Sequence, residues 1–114
     1  MNVCIVGIGL IGGSMALDLK KREFAQKVVG VDINPQHANI AKLSGLVEET
    51  MDLEEAVRQS DLIIIATPID VTKMLLPEIL TLCEGTDKVI TDVGSTKAGI
   101  LQKIQTHPNR AQYV

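Results

Sequence analysis

The chain has 114 residues, of which 46% are hydrophobic, and a formal net charge of −3. This length predicts one domain, and the acidic balance argues against a nucleic-acid or anionic-membrane partner. No stretch reaches the roughly 18 apolar residues that span a bilayer, and the N-terminus lacks the basic region of a signal peptide. Cys4 and Cys83 are isolated and belong to no metal-ligand spacing, which indicates buried thiols. We therefore expect a soluble, cytoplasmic protein without a metal site.

The first fifteen residues carry the clearest motif. Asn2 to Val6 is apolar and β-prone, which predicts a buried strand. It leads into the glycine pattern GxGxxG, and helical spacing of apolar residues then predicts a helix over about 11–24. A strand, a glycine turn and a helix in this order form a phosphate cradle on a helix N-terminus. The candidate cofactor-binding residues of the turn are Gly7, Ile8, Gly9, Leu10, Ile11 and Gly12.

A second apolar run, from Lys27 to Asp32, ends in a carboxylate. An acid twenty residues beyond the glycine motif is placed to hydrogen-bond the ribose hydroxyls of an adenine dinucleotide. Residues 33–36 contain no Arg or Lys to neutralise a 2′-phosphate, so NAD is favoured over NADP. His37 and Lys42 remain close enough in sequence to approach such a phosphate, although His37 reads first as a surface residue.

The rest of the chain alternates short strands and helices. Asn34-Pro35 is typical of a helix start, Pro77 predicts a kink or two abutting helices, and Asp70 is a candidate helix cap. His107-Pro108-Asn109 predicts a turn. The expected helices cover 35 to about 44, 53–59, 70–82 and a segment after residue 97, and the expected strands cover 46–50, 61–66, 88–93 and 111–114.

This alternation predicts an α/β fold, a Rossmann-type doubly wound parallel sheet in three αβα layers, with strand order 3-2-1-4-5-6. Ligands bind such sheets outside the carboxyl ends of the strands. The glycine turn, the segment Ala66, Thr67, Pro68 and the segment Gly94 to Lys97 all meet there. Thr67-Pro68 alone also fits an ordinary turn, and Ser95 or Thr96 also fits a helix cap.

The glycine motif, Val31-Asp32, Ala66 to Pro68 and, most specifically, the sequence TDVGSTK at residues 91–97 resemble the prephenate dehydrogenase family. The similarity covers the whole chain but only the N-terminal cofactor domain of that family. It implies oxidative decarboxylation of prephenate by NAD to 4-hydroxyphenylpyruvate, carbon dioxide and NADH, in tyrosine biosynthesis.

The resemblance also assigns one catalytic residue. Ser95 matches the family serine that hydrogen-bonds the catalytic histidine and the substrate hydroxyl, whereas Lys97 receives no catalytic role. The family histidine follows the sixth strand, and the sequence stops at Val114 as that strand begins. His107 precedes the strand, at the opposite edge of the sheet, and reads as a turn residue.

We therefore expect a fragment that binds the dinucleotide without turnover, from a protein that dimerises through an absent helical domain. Three alternatives stay open at this point. They are an arogenate dehydrogenase, another NAD-dependent β-hydroxy acid dehydrogenase or imine reductase, and a stand-alone NAD-sensing module.

Overall fold

The structure is a computed structural model. It describes residues 1–7, 19, 27–32, 35–43, 45, 47–93, 107–108 and 110–113. The helix expected over 11–24 lies outside these ranges, except for Leu19, which is helical. The turn residues from Ile8 to Gly12, Ser95 and the helix expected after residue 97 lie outside them as well.

Five parallel strands form one sheet in the order β3-β2-β1-β4-β5. The strong aliphatic runs predicted this core, since strands covered on both faces are apolar at nearly every position. β1 pairs with β2 on one side and with β4 on the other, so the first strand is the centre of the sheet. The strands are β1 (Asn2–Val6), β2 (Lys27–Val31), β3 (Glu49–Thr50), β4 (Leu62–Ile65) and β5 (Val89–Asp92).

Three described helices follow the strands: α1 (Pro35–Leu43), α2 (Leu53–Gln59) and α3 (Ile69–Leu82). The two faces of the sheet bury separate apolar clusters. Cys4 and Val6 of β1 point towards residues of α2 and α3, whereas Val3 and Ile5 point to the face that holds Ala41 of α1. Helices therefore cover both faces, and the expected three-layer α/β architecture is confirmed. No helix among the described residues is long and apolar enough to cross a membrane.

The helix expected over 53–59 has these bounds because its N-terminus is capped. The Asp52 side chain accepts a hydrogen bond from Glu55 N at 2.9 Å, which satisfies one of the free amides of the first turn. Arg58 lies 3.2 Å from both Glu54 and Glu55, at the spacings that bring helical side chains together.

One of the two alternatives expected at Pro77, and the expected cap of α3, were wrong. The helix continues through Pro77 as one element, so the alternative of two abutting helices is excluded. Its N-cap is Pro68 rather than Asp70, which lies in the first turn with its carboxylate near the positive end of the helix dipole. Gly85 follows the helix with φ +75°, a left-handed conformation that is common just after a helix end.

The segment expected as a sixth strand over 111–114 is mostly another structure. Arg110–Gln112 form a 3-10 helix, and Tyr113 makes a single parallel bridge to Ile90 of β5. Gln112 explains the local shape, since its amide nitrogen donates to the carbonyl oxygens of Cys83 and Lys88 at 3.1 and 3.0 Å. Tyr113 nevertheless lies beside β5, where the predicted strand order places a sixth strand. The third strand is also shorter than expected, with two residues.

Both cysteines are buried free thiols in the cluster between the sheet and α3, as expected. Burial raises the pKa of the Cys4 thiol to about 12, and nearby Cys83 acts in the same direction. Burial also raises the pKa of Cys83. These side chains are therefore protonated core groups at neutral pH rather than nucleophiles.

Candidate functional site

The site lies at the carboxyl edge of the sheet, where the chain leaves four neighbouring strands. The amide of the residue after one strand bonds to the last carbonyl of the next strand. Gly7 N donates to Val31 O at 2.7 Å, Ala66 N to Val6 O at 2.8 Å, and Val93 N to Ile65 O at 3.0 Å. These bonds hold the exits of β2, β1, β4 and β5 in one row.

Gly7 occupies a position that requires glycine. Its φ of +92° is a backbone conformation that residues with a side chain rarely adopt. A Cβ atom at this position would lie 2.9 Å from Thr67 Cγ2 and 3.1 Å from the carbonyl carbon of Ala66. Gly7 therefore lies in close contact with the segment after β4.

Asp32 follows β2 directly, beside this turn. Its side chain is only 9% exposed, whereas the side chain of His37 on α1 is 50% exposed. His37 Nδ1 lies 3.5 Å from Asp32 Oδ2, which is ion-pair distance when the imidazole is protonated. The expectation of a surface histidine holds for its exposure, but His37 also contacts the predicted ribose-binding acid.

The segment Ala66 to Pro68 is fixed by Thr72, which is 1% exposed in the first turns of α3. Thr72 Oγ1 lies 3.1 Å from the carbonyl oxygens of Thr67 and Pro68, and 2.8 Å from Thr67 Oγ1. A single hydroxyl can donate to one of these carbonyls and accept from the Thr67 hydroxyl. The turn is thus a built part of the edge rather than a free loop.

These elements enclose a pocket of about 460 Å³. Most of its wall is aliphatic, and Asp32, His37 and Thr67 are its polar lining side chains. Such a combination suits a flat apolar ring that carries a hydroxylated sugar. The lining residues are Val6, Gly7, Val31, Asp32, His37, Leu53, Ala66, Thr67, Pro68, Val71 and Leu75.

The β5 side of the edge carries a second buried contact. Tyr113 is 8% exposed, and its hydroxyl donates to Asp92 Oδ1 at 2.5 Å. Burial, together with this bond to the Asp92 carboxylate, raises the pKa of Tyr113. Asp92 is the last residue of β5, and Val93 is the last described residue before Ser95. The contact therefore fixes the start of the TDVGSTK segment.

The structure brings together the predicted residues that it describes: Gly7, Asp32, Ala66, Thr67 and Pro68 all line the pocket. His107 lies elsewhere, with its Nε2 atom 3.0 Å from Thr81 Oγ1 in the last turn of α3. Within the described ranges, no group of three His, Cys, Asp or Glu could hold a metal ion.

Sequence reasoning missed the contributions of Leu53, Val71, Thr72 and the contact between Tyr113 and Asp92. Val71 and Leu75 are four residues apart on α3, so helical spacing offered a signal for one shared face. Thr72 contacts Thr67 and Pro68, only five and four residues away. Leu53 and the contact between Tyr113 and Asp92 join distant parts of the chain, and no local pattern marks them.

The parallel sheet, its strand order and the helices on both faces define a Rossmann-type α/β fold. Residues 15–114 match the family model described as prephenate dehydrogenase, nucleotide-binding domain. The chain is 35% identical to prephenate dehydrogenase of Bacillus subtilis over 115 residues, which cover 99% of the chain and 31% of the relative. The chain therefore belongs to the prephenate dehydrogenase nucleotide-binding domain family.

Solved structures agree in fold. Prephenate dehydrogenase of A. aeolicus, solved in complex with hydroxyphenyl propionate and NAD⁺, is 27% identical with a TM-score of 0.78, over 99% of this chain and 40% of that one. Synechocystis arogenate dehydrogenase is 26% identical with a TM-score of 0.77, over 98% of this chain and 37% of that one. The chain thus spans about a third of the length of these proteins.

Proposed function

We propose that this chain binds NAD along the carboxyl edge of its sheet. The observation that carries the proposal is the close approach at Gly7, where a Cβ atom would lie 2.9 Å from Thr67, beside the Asp32 carboxylate in one pocket. A bare backbone turn admits a diphosphate, and a carboxylate at the end of the neighbouring strand accepts hydrogen bonds from ribose hydroxyls. The residues present therefore fit the dinucleotide.

Leu53, Val71 and Leu75 form an aliphatic wall that suits the adenine ring. The flat faces of the ring are weakly hydrated, so burying them against this wall costs little. NAD supplies the hydride acceptor when it is bound. The part of this chain is to hold the dinucleotide extended and to exclude water from its adenosine end. Asp32 favours NAD over NADP, because its negative charge would repel a 2′-phosphate.

For the complete protein, we propose an NAD-dependent prephenate dehydrogenase of tyrosine biosynthesis. Membership of the family and the TDVGSTK segment support this activity. The relatives' additional length would supply the substrate pocket, the general-base histidine and a homodimer interface, so the 114-residue chain alone should bind NAD without turnover. A cytoplasmic location fits such a biosynthetic enzyme. Arogenate is the second candidate substrate, since the similar Synechocystis enzyme is an arogenate dehydrogenase.

Calorimetric titration and a coenzyme-soaked crystal test the binding proposal. We expect one NAD per chain, with its diphosphate over residues 7–13 and its adenine ribose on Asp32. A diphosphate found elsewhere, or the absence of NAD binding, would overturn it. Turnover of prephenate or arogenate by the complete protein tests the proposed activity, and oxidation of a β-hydroxy acid alone would contradict it.

Ser95→Ala should separate binding from chemistry. In the complete protein we expect kcat to fall about tenfold, which corresponds to the loss of one hydrogen bond to the reacting groups, with NAD affinity nearly unchanged. Steady-state kinetics and calorimetry measure the two effects. Thr96→Ala is the matched control, because it removes the neighbouring hydroxyl. Normal kinetics for Ser95→Ala would contradict a catalytic role and would favour the alternative that Ser95 caps a helix.

A further inference from the structure

The contact between His37 and Asp32 has a second consequence for coenzyme choice. His37 Nδ1 lies 3.5 Å from Asp32 Oδ2, and both residues line the pocket. The His37 side chain is half exposed, so it can exchange protons with solvent, whereas the Asp32 side chain is 9% exposed. Imidazole is the side chain that changes its charge between about pH 5 and pH 8. The contact therefore places an imidazole beside the carboxylate that is proposed to bind the ribose.

We propose that His37 determines how strongly the site discriminates against NADP and makes that discrimination depend on pH. The inference rests on the proposed NAD site. With neutral His37, the Asp32 carboxylate repels a 2′-phosphate that carries a charge of about −1.5 to −2. With protonated His37, the imidazolium offsets Asp32 and attracts the phosphate. NAD carries no phosphate at this position, so its affinity changes less.

The other charged groups near Asp32 and His37 support the assignment of the pH dependence to His37. Asp32 and His37 are the only ionisable side chains among the described residues that line the pocket. On α1, Lys42 lies in the last turn and is exposed. On β3, which packs against α1, Glu49 pairs with Lys27 at 3.6 Å.

The two helices on the far side of the pocket carry further charges. On α2, Glu54 and Glu55 pair with Arg58, and on α3 the first-turn residue Asp70 is exposed. None of these residues lines the pocket, and none is an imidazole. A change in discrimination between pH 6 and pH 8 that is lost when His37 is replaced therefore points to His37.

The test compares the ratio of the NADP and NAD dissociation constants at pH 6.0 and pH 8.0. It uses the wild type, His37→Asn and His37→Gln. The 2′-phosphate itself gains a proton near pH 6, but this contribution is common to all variants. We expect acidification to lower the ratio about fivefold to tenfold more in the wild type than in either variant. Lys42→Gln removes a charge from the same helix outside the pocket and should behave as the wild type.

A second readout is the proton uptake that accompanies NADP binding, measured by calorimetry at pH 7 in buffers of different ionisation enthalpy. Linkage requires that a ligand which favours protonated His37 takes up protons when it binds. Uptake should therefore be larger in the wild type than in His37→Asn. An equal response to pH in all three proteins, with NAD bound normally, would overturn this inference alone. Failure to bind NAD at all would overturn the proposed function as well.

Discussion

Gly7→Ala should lower the free energy of unfolding by about 2–4 kcal/mol, the sum of a left-handed backbone cost and a forced displacement of packed atoms. The new Cβ atom would lie 2.9 Å from Thr67 Cγ2 and 3.1 Å from the Ala66 carbonyl oxygen. Thr67 has little room to retreat, because Thr72 holds its turn through hydroxyl contacts. Urea denaturation measures the loss, and calorimetry should show weaker NAD binding in the same variant.

Gly45→Ala provides the matched control for this effect. Gly45 has φ +73°, but a Cβ atom there would meet nothing within 4 Å. Its substitution should cost only the backbone term, about 1 kcal/mol. If the two variants lost the same free energy of unfolding, the close approach of Gly7 to the Ala66-Thr67 segment would contribute nothing to the loss.

Asp32→Ala should weaken NAD binding by about 1–3 kcal/mol, through the loss of charge-assisted hydrogen bonds to the ribose. The centre of this range corresponds to about thirtyfold in the dissociation constant. The carboxylate is positioned for those bonds by the end of β2 and by His37, and little of its surface faces solvent. Isothermal titration of NAD onto the variant measures the change.

Asp70→Ala is the control for Asp32, since it removes one exposed carboxylate from the start of α3 without altering the pocket lining. It should leave NAD affinity within about twofold, because an exposed charge is well screened. Unchanged NAD affinity in Asp32→Ala would show that this carboxylate does not bind the ribose. The adenosine would then have to bind nearer the exit of β5.

The elements that sequence predicted best are those whose local pattern agrees with their tertiary role. β1 and β4 are aliphatic because both of their faces are buried, so a continuous apolar run was sufficient to place them. The helix over 53–59 was predicted with its observed bounds, and the structure adds the Asp52 cap and the Arg58 pairs that stabilise it. Fold class and strand order followed from their alternation.

Elements determined by distant contacts were predicted less well. α3 passes through Pro77, although a proline usually interrupts a helix, and Leu76, Ile79 and Leu80 on either side are fully buried. Their burial outweighs the missing hydrogen bond. Residues 111–112 form a 3-10 helix because Gln112 bonds to the carbonyls of Cys83 and Lys88, 29 and 24 positions earlier. No pattern within those few residues encodes such a partner.

The site divides in the same way. Gly7, Asp32 and Thr67 stand at strand ends, so topology alone brought them together. The contacts of His37 with Asp32 and of Thr72 with Thr67 depend on side-chain placement across neighbouring elements. The periodicity of a helix shows which face a residue occupies, but not what that face meets.

The row of main-chain hydrogen bonds along the sheet edge fixes the distance between the strand exits that a ligand must span. From the exit of β2 to that of β5 there are three strand spacings, which amount to roughly 14 Å. Side-chain motion cannot shorten that interval, because each exit is tied to the next strand by a main-chain bond. If NAD binds as proposed, with its adenine ribose on Asp32, a mononucleotide such as AMP would cover only that end of the edge. The site can therefore distinguish ligands by their length as well as by their functional groups.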